Sequence, residues 1–294
     1  MKKGQDMHYS QPITELINRR YSCRTYRPVP LEEAMCQQLE AFMLSTRSGP
    51  FGAPVRFRLL DATAEGGAAL RGLGTYGFIR GAMAFIVGMV RDGPKNMEDF
   101  GYCMEQVVLC ATDLGLGTCW LGGTFNRSGF AARAGLREGE QMPAVTPVGY
   151  IAGKRALMDR IIRRGAAGYK RHPWPQLFFR ERLGQPIRAE EAGPYALALE
   201  MVRKAPSASN KQPWRTVWDG SAWHFYLQRT AGYRRMAGLG RVPDLQRADL
   251  GIAMCHWELT VREAGLPGRW VIQEPAIGMP DSLTEYTATW LPAT

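Results

Sequence analysis

Metal ligands and long apolar runs are scarce in this sequence. Its 294 residues include six cysteines and four histidines, without a C-x-x-C pair or histidines at metal-ligand spacing, so we expect no metal site. The longest apolar run, residues 82–90, has nine residues, whereas a membrane helix needs about 20. The first residues lack the apolar segment of a secretion signal. These absences predict a cytoplasmic protein, away from membranes, with reduced thiols.

Acidic residues are also outnumbered. Lys and Arg total 37 against 27 Asp and Glu, a formal net charge of +10, and 45% of the residues are apolar, which excludes a disordered chain. A basic run between Arg160 and Arg171 could contact nucleic acid, but no nucleic-acid-binding module accompanies it, so we expect a solvated connector. The charge could instead attract anionic reactants such as nicotinamide dinucleotides. The histidines show no triad spacing, so no hydrolase is indicated.

Hydrophobic periodicity gives a coarse list of elements. It predicts helices over 13–18, 31–44, 97–114 and 195–202, and strands over 55–60, 82–90, 118–123 and 145–152. Asp219-Gly220, between two tryptophans, predicts a hairpin turn. Gly72-x-Gly74-x-x-Gly77 matches a dinucleotide fingerprint in form, but no strand precedes it and a strand follows it, so a phosphate would meet no helix N-terminus. We therefore reject that fingerprint.

An internal repeat is the main sign of domain organisation. Asp113-Leu114-Gly115-Leu116 with Trp120 recurs as Glu263-Ala264-Gly265-Leu266 with Trp270, 150 residues later. The order helix, loop, strand, long helix, Gly-Leu and Trp recurs with it. A chance match is the alternative, since the identities are few. The repeat predicts an α+β protein of two homologous halves, residues 1–176 and 177–294, each a sheet packed by helices.

Two polar segments are candidates for binding. Arg20, Ser22 and Arg24 alternate, so an extended segment would place them on one face, and two guanidinium groups beside a hydroxyl suit a phosphate. Residues 205–214 carry short Ser and Asn side chains that suit a flat ligand with polar edges. Each segment alone has an ordinary alternative: exposed arginines in the first case and a simple turn in the second.

Three motifs resemble those of the flavin-dependent nitroreductase family. Arg20-Tyr21-Ser22-Cys23-Arg24-Thr25-Tyr26 resembles its R-R-S-x-R-x-F start, and Ala205-Pro206-Ser207-Ala208-Ser209-Asn210-Lys211-Gln212-Pro213-Trp214 resembles its A-P-S-x-x-N-x-Q-P-W signature. Leu114-Gly115-Leu116-Gly117-Thr118-Cys119-Trp120-Leu121-Gly122-Gly123 is similar to its L-G-L-G-x-x-W-x-G-G turn. The resemblance implies a nitroreductase-like fold with FMN as the cofactor.

The order of the motifs departs from the usual family pattern. In the usual family member the first two motifs lie close together in one subunit, and two subunits exchange elements to build two FMN sites. Here Arg24 and Pro206 are 182 positions apart. Phe51 and Ala53 stand where the first half would need Asn and Gln, and Phe179, Glu181 and Leu183 stand where the second half would need Arg, Ser and Arg. The pattern resembles the tandem branch of the family, a fused pseudo-dimer with one surviving site.

The resemblance also implies roles for individual residues. Arg20 and Ser22 would hold the FMN phosphate, Arg24 would follow the ribityl chain or the pyrimidine edge, and a late basic pair would close on the phosphate. The two glycines of the turn would let backbone N–H groups approach flavin N5. The predicted cofactor-binding residues are Arg20, Tyr21, Ser22, Arg24, Gly122, Gly123, Lys170, Arg171, Pro206, Ser207, Ala208, Asn210 and Gln212.

The implied function is an FMN-dependent oxidoreductase. Hydride would pass from NAD(P)H through flavin N5 to a nitroaromatic, a quinone or a similar small oxidant, with no catalytic side chain because the flavin carries the chemistry. The alternative is an FMN-binding module, a sensor or carrier without efficient turnover. One chain holds both halves, so we expect a monomer to suffice for one FMN site. The physiological oxidant, the choice of NADH or NADPH and the state of a second site stay open.

Overall fold

The first five strands form one sheet. The computed structural model describes residues 9–62, 73–75, 77–153, 170–233 and 243–293. Two helices, α1 (Ile13–Arg19) and α2 (Glu33–Ser45), precede strands β1 (Val55–Asp61) and β2 (Ala84–Arg91), and then come α3 (Asn96–Asp113), β3 (Gly117–Thr118), α4 (Arg127–Ala134), β4 (Glu140–Gln141) and β5 (Val145–Gly149). The strand order is β1-β2-β5-β3, with β4 also on β2, and all pairings are antiparallel. Strand β2 contains most of the long apolar run and is buried up to its last residue.

A second five-stranded sheet follows. Its elements are β6 (Phe178–Arg180), α5 (Ala189–Ala192), α6 (Ala196–Lys204), β7 (Trp214–Trp218), β8 (Trp223–Gln228), α7 (Leu245–Glu263), β9 (Gly268–Val271) and β10 (Thr284–Pro292), with single 3-10 turns at Trp174–Gln176, Gly193–Tyr195 and Ala208–Asn210. The order is β6-β7-β8-β10-β9, and the β6–β7 pairing is parallel. Two separate sheets, antiparallel except for the β6–β7 pair, with packed helices confirm the predicted α+β class.

The β7–β8 hairpin forms at the predicted turn. Trp218 pairs with Trp223 across it. The Asp219 carboxylate accepts hydrogen bonds from the backbone N–H groups of Ser221 and Ala222 and contacts His224 Nε2 at 2.8 Å. Burial alone would raise the pKa of Asp219, but these hydrogen bonds outweigh it and lower the pKa to about 2.

The two long helices, α3 and α7, cross through a pair of glycines at the centre of the molecule. A Cβ atom added at Gly101 would overlap Ala248 O and lie 2.8 Å from its carbonyl carbon, and one added at Gly251 would overlap Glu98 O and lie 2.8 Å from its carbonyl carbon. Both helices are buried along almost their whole length. Only residues without a side chain permit this backbone approach.

The crossing obeys the repeat found in the sequence. Gly101 approaches Ala248, and Gly251 approaches Glu98. Gly251 is Gly101 shifted by 150 positions, and Ala248 is Glu98 shifted by 150, so the offset of the repeat converts one contact into the other. Reciprocal contact of this kind is the signature of a twofold interface between like units. It supports a duplication, and the common origin of the halves and their boundary at residue 176 stay predictions.

One predicted strand is wrong over most of its length. Within residues 118–123, Thr118 ends strand β3, and Leu121 makes an isolated bridge to Val145. The backbone leaves the sheet there to form the turn at Gly122 and Gly123. The N-terminal residues 1–8, Gly72 and most of the basic connector, residues 154–169, lie outside the described residues. Every helix among the described residues is too short or too polar to cross a membrane.

Candidate functional site

A cavity of about 570 Å³ is formed by several loop segments together with one face of α7. Its wall comes from residues 20–24, 120–124 and 206–210, from Arg171 and from the first two turns of α7. The volume lies within the range of cofactor and ligand pockets, about 300–1,000 Å³. All the predicted site residues except Lys170 and Gln212 line this cavity. Segments far apart in the sequence therefore meet in one place.

The arginine end of the cavity begins where α1 stops. Arg20 adopts an extended backbone directly after the helix, and a backbone bridge between Ser22 and Thr118 fixes the following residues beside the first sheet. Cys23 is buried beneath this segment. The extended conformation places Arg20, Ser22 and Arg24 along the cavity wall, as the alternation predicts.

Two guanidinium groups meet at this end. The Arg20 side chain is 6% exposed, and its Nε has no hydrogen-bond partner among the described residues. Burial, together with the nearby charges of Arg20 and Arg203, lowers the pKa of Arg171 to about 10. Two buried cations that repel each other across a cavity are stabilised by an anion between them.

The opposite wall is a strained loop. Ser209, Asn210 and Gln212 have φ angles of 50°, 55° and 48°, in the left-handed region that is costly for residues with side chains. Hydrogen bonds hold the loop: the Ala208 N–H donates to both Asp249 carboxylate oxygens at 3.0 and 3.1 Å, and the Gln212 N–H donates to Ser207 Oγ at 2.9 Å. Strain of this kind concentrates at binding sites, where the surrounding structure maintains it.

Lys170 and Gln212 support the loop from behind instead of lining the cavity. The carbonyl oxygen of Lys170 accepts hydrogen bonds from Asn210 Nδ2 at 2.8 Å and Gln212 Nε2 at 3.2 Å. The Gln212 side chain is buried, and its Oε1 accepts the His172 N–H at 2.8 Å. Asn210 Oδ1 in turn accepts a hydrogen bond from Arg171 at 2.5 Å. Of the late basic pair, Arg171 brings its guanidinium group to the cavity, whereas Lys170 contributes its backbone.

The two glycines of the turn, Gly122 and Gly123, have different surroundings. A Cβ at Gly122 would lie 2.5 Å from Leu245 Cδ1, so the Leu245 side chain on α7 would have to move to accommodate it. A Cβ at Gly123 would meet no described atom within 4 Å, and the residue lines the open cavity. Close approach of the backbone to a ligand is therefore possible at Gly123, while at Gly122 the collision is with the protein itself.

An apolar wall completes the cavity, and most of it was missed in the sequence. It consists of Trp120, which is part of the recognised turn, together with Ala144, Leu245, Ala248 and Ile252. Trp120 Nε1 donates to Glu105 Oε2 at 2.8 Å, which fixes the indole ring. Leu245, Ala248 and Ile252 follow helical spacing on α7, so one face of that helix forms the wall.

Asp249 was also missed, although the repeat contains the signal for it. The offset of 150 pairs Asp249 with Asp99, whose carboxylate accepts the N–H groups of Phe51 at 2.9 Å and Ala53 at 2.7 Å. Each aspartate thus holds the corresponding loop. Burial raises the pKa of Asp249 well above its usual range and that of Asp99 to about 6, against the effect of these hydrogen bonds. Among the described residues no three His, Cys, Asp or Glu side chains cluster as metal ligands would.

Comparison with known proteins identifies the family to which this chain belongs. Residues 12–261 match the family described as "Putative TM nitroreductase", and the chain belongs to this family. A solved structure from Thermotoga maritima, described as a "putative nitroreductase", is 19% identical, covers 99% of this chain and 98% of its own, and has a TM-score of 0.60. This likeness confirms the nitroreductase fold.

Two further solved structures are similar over about half of the chain. An oxidoreductase containing FMN is 18% identical, covering 56% of this chain and 89% of its own with a TM-score of 0.42. A nitroreductase with bound FMN from Desulfitobacterium hafniense is 19% identical, covering 49% and 92% with a TM-score of 0.37. A search of curated proteins gives no match.

Proposed function

We propose that this protein is an FMN-dependent oxidoreductase that oxidises NAD(P)H and reduces a small oxidant such as a nitroaromatic or a quinone. One observation carries the proposal: Ser22 and Ser207, from motifs at opposite ends of the chain, line the same cavity. Family membership and the FMN named for similar structures support the same choice of cofactor.

The residues present fit this cofactor. Arg20, Ser22 and Arg171 would hold the phosphate, because all three line the cavity and an anion there would offset the repulsion between the two guanidinium groups. The 206–210 loop would contact the edge of the ring, and the apolar wall with Trp120 would cover it. Arg24 adds a fixed positive charge along the wall.

In this proposal the cofactor supplies the redox chemistry, and the protein supplies its binding and orientation. When bound, FMN accepts a hydride from NAD(P)H and passes two electrons to the oxidant. The chain's own contribution is to fix the orientation of the cofactor through the arginines and the strained loop. Its apolar wall excludes water, and the side chains around the cavity include no candidate triad. The chain would therefore contribute to catalysis by positioning substrate and cofactor rather than by side-chain acid–base chemistry.

We also propose that one chain suffices for one FMN site and that the protein works in the cytoplasm. Segments before residue 145 and segments after residue 170 of a single chain both line the cavity. The six cysteines are all buried, and in such a reducing compartment they would remain thiols.

Absorbance of the purified protein tests the cofactor. We expect a flavin spectrum, with FMN identified by mass after release by heat, and we expect Arg20→Ala combined with Asn210→Ala to lose it. Arg58→Ala, at an exposed position on β1, is the control that keeps the flavin. Protein that neither contains nor takes up FMN would reject the proposal.

Turnover is tested separately. Rapid bleaching of the bound flavin by NAD(P)H, followed by reoxidation with a quinone or nitroaromatic, is the expected result. If neither NADH nor NADPH reduces the bound FMN, the enzyme hypothesis is rejected in favour of an FMN-binding module without turnover. Size measurement of the flavin-loaded protein tests whether a monomer is sufficient.

A further inference from the structure

A fully buried carboxylate lies directly behind the arginine end of the cavity. Glu105, in the middle of α3, has no solvent exposure. Oε2 accepts the Trp120 indole N–H at 2.8 Å, Oε1 lies 3.0 Å from His256 Nε2, and the same oxygen lies 3.6 Å from Arg20 Nε. This side chain thus connects three segments: the residue after α1, the turn before Gly122, and α7. The cofactor roles proposed above do not use it.

The hydrogen bonds of His256 show how Glu105 is held. His256 Nδ1 lies 2.9 Å from the carbonyl oxygen of Met201, and a carbonyl can only accept, so Nδ1 carries a proton. Nε2 then faces Glu105 Oε1, and a second proton must lie between these two atoms for a hydrogen bond to form. Glu105 and His256 therefore share one proton and form an overall neutral pair. The His256 side chain thus anchors the carboxylate.

Arg20 is the group that this anchored carboxylate faces. Its Nε is buried without a hydrogen-bond partner among the described residues, and Glu105 Oε1 lies 3.6 Å away as an ion-pair partner. A long flexible side chain at the cavity wall needs such a fixed oxygen to retain one orientation. We propose that Glu105, held by Trp120 and His256, is a positioning residue that orients Arg20 toward the phosphate of the cofactor. This inference rests on the proposed function.

The other long helix offers a matched comparison. Glu258 on α7 accepts the Trp270 indole N–H at 2.8 Å and the Tyr102 hydroxyl at 2.8 Å. Trp270 is the counterpart of Trp120 under the offset of 150. Glu258 thus holds the equivalent tryptophan, but it forms an ion pair with Arg262 at a solvent-facing position, not with a residue of the cavity. Replacing Glu258 removes a buried carboxylate of the same kind without touching the phosphate end.

The test compares FMN with riboflavin, which has the same ring but no phosphate, on flavin-free full-length protein. In Glu105→Gln the new amide can donate to a neutral His256 and still accept from Trp120, so the packing is kept while a donor faces Arg20 Nε. We expect the Kd for FMN to rise about tenfold, which corresponds to the loss of one charge-assisted hydrogen bond from Arg20 to the phosphate. We expect the Kd for riboflavin to change by less than about twofold. Glu258→Gln should leave the ratio of the two constants unchanged.

Two further variants keep the inference falsifiable. In an Arg20→Ala background, Glu105→Gln should have no additional effect on the Kd for FMN, because its partner is already absent. His256→Phe, which removes the proton partner of the carboxylate, should also weaken FMN binding more than riboflavin binding. Equal losses for both ligands, an unchanged ratio, or full additivity with Arg20→Ala would overturn the positioning role. Absence of FMN binding by the wild-type protein would instead reject the proposed function.

Discussion

The glycine crossing of α3 and α7 gives the sharpest prediction of stability. In Gly101→Ala the new methyl group would overlap Ala248 O and lie 2.8 Å from its carbonyl carbon and 3.0 Å from its Cα. Carbon atoms in contact prefer about 3.5–4.0 Å, so the helices must separate by roughly 0.5–1 Å at this point. The obstacle is backbone in a buried helix, which cannot rotate away as a side chain could.

The expected loss can be worked out from opposing terms. Overpacking of this kind costs about 3 kcal/mol or more, because the obstacle is rigid. Alanine in place of glycine inside a helix returns about 1 kcal/mol. The net loss is therefore about 2 kcal/mol or more, which lowers Tm by roughly 4–8 °C for a protein of this size class. Gly251→Ala should lose a similar amount, since it meets Glu98 in the same way.

Thermal unfolding followed by circular dichroism is the assay. Gly93→Ala is the control, because a Cβ there meets no described atom within 4 Å and the residue lies just before α3. We expect its Tm to stay within about 1–2 °C of the wild type. Because α7 forms one wall of the cavity, Gly101→Ala should also weaken FMN binding. Equal unfolding temperatures for Gly101→Ala and Gly93→Ala would refute the reasoning about the crossing.

Three other predictions concern single side chains. Asp249→Ala should raise the Kd for FMN about tenfold by releasing the loop that it holds, and an unchanged Kd, or an equal rise in the control Asp99→Ala, would contradict this. Arg171→Ala should raise that Kd at least about tenfold, whereas Lys170→Ala, which keeps the backbone carbonyl, should change it little; the reverse order would exclude Arg171 from the phosphate end. Folding lowers the pKa of Asp219 to about 2, against an ordinary value of 3.8. The ionised carboxylate therefore contributes about 1–2 kcal/mol to the free energy of unfolding. This contribution is complete above pH 4 and is lost as the pH falls through 2. In urea unfolding, Asp219→Asn should therefore be less stable than the wild type at pH 6 and approach it near pH 2, and a difference that is independent of pH would contradict this.

Helices with a strong local pattern were predictable from the sequence. The 97–114 prediction agrees with α3, Asn96–Asp113, within one residue at each end, because a wide apolar face and the left-handed Gly115 after it are local signals. The strand predicted over 118–123 stops at Thr118, and the turn that follows places Gly122 next to Leu245, more than 120 positions away. No local pattern carries that contact.

Some features of the candidate site were also predictable from local sequence, whereas others depend on tertiary contacts. Alternation alone predicts that Arg20 and Ser22 share a face, and the cavity contains both. The left-handed backbone at Ser209 is imposed by partners distant in sequence, such as Asp249 on α7. Composition cannot distinguish Lys170 from Arg171 either, since the two are adjacent cations and only tertiary structure decides which one reaches the cavity.

The reciprocal crossing of α3 and α7 lies inside a single polypeptide. In a symmetric dimer one codon change appears on both sides of the twofold axis at once. Here Gly101 and Gly251 are encoded separately, so either side of the axis can be altered alone. Protein engineers could therefore rebuild the surface around Phe51 while the loop at Asn210 keeps its native sequence, a freedom that a homodimer lacks.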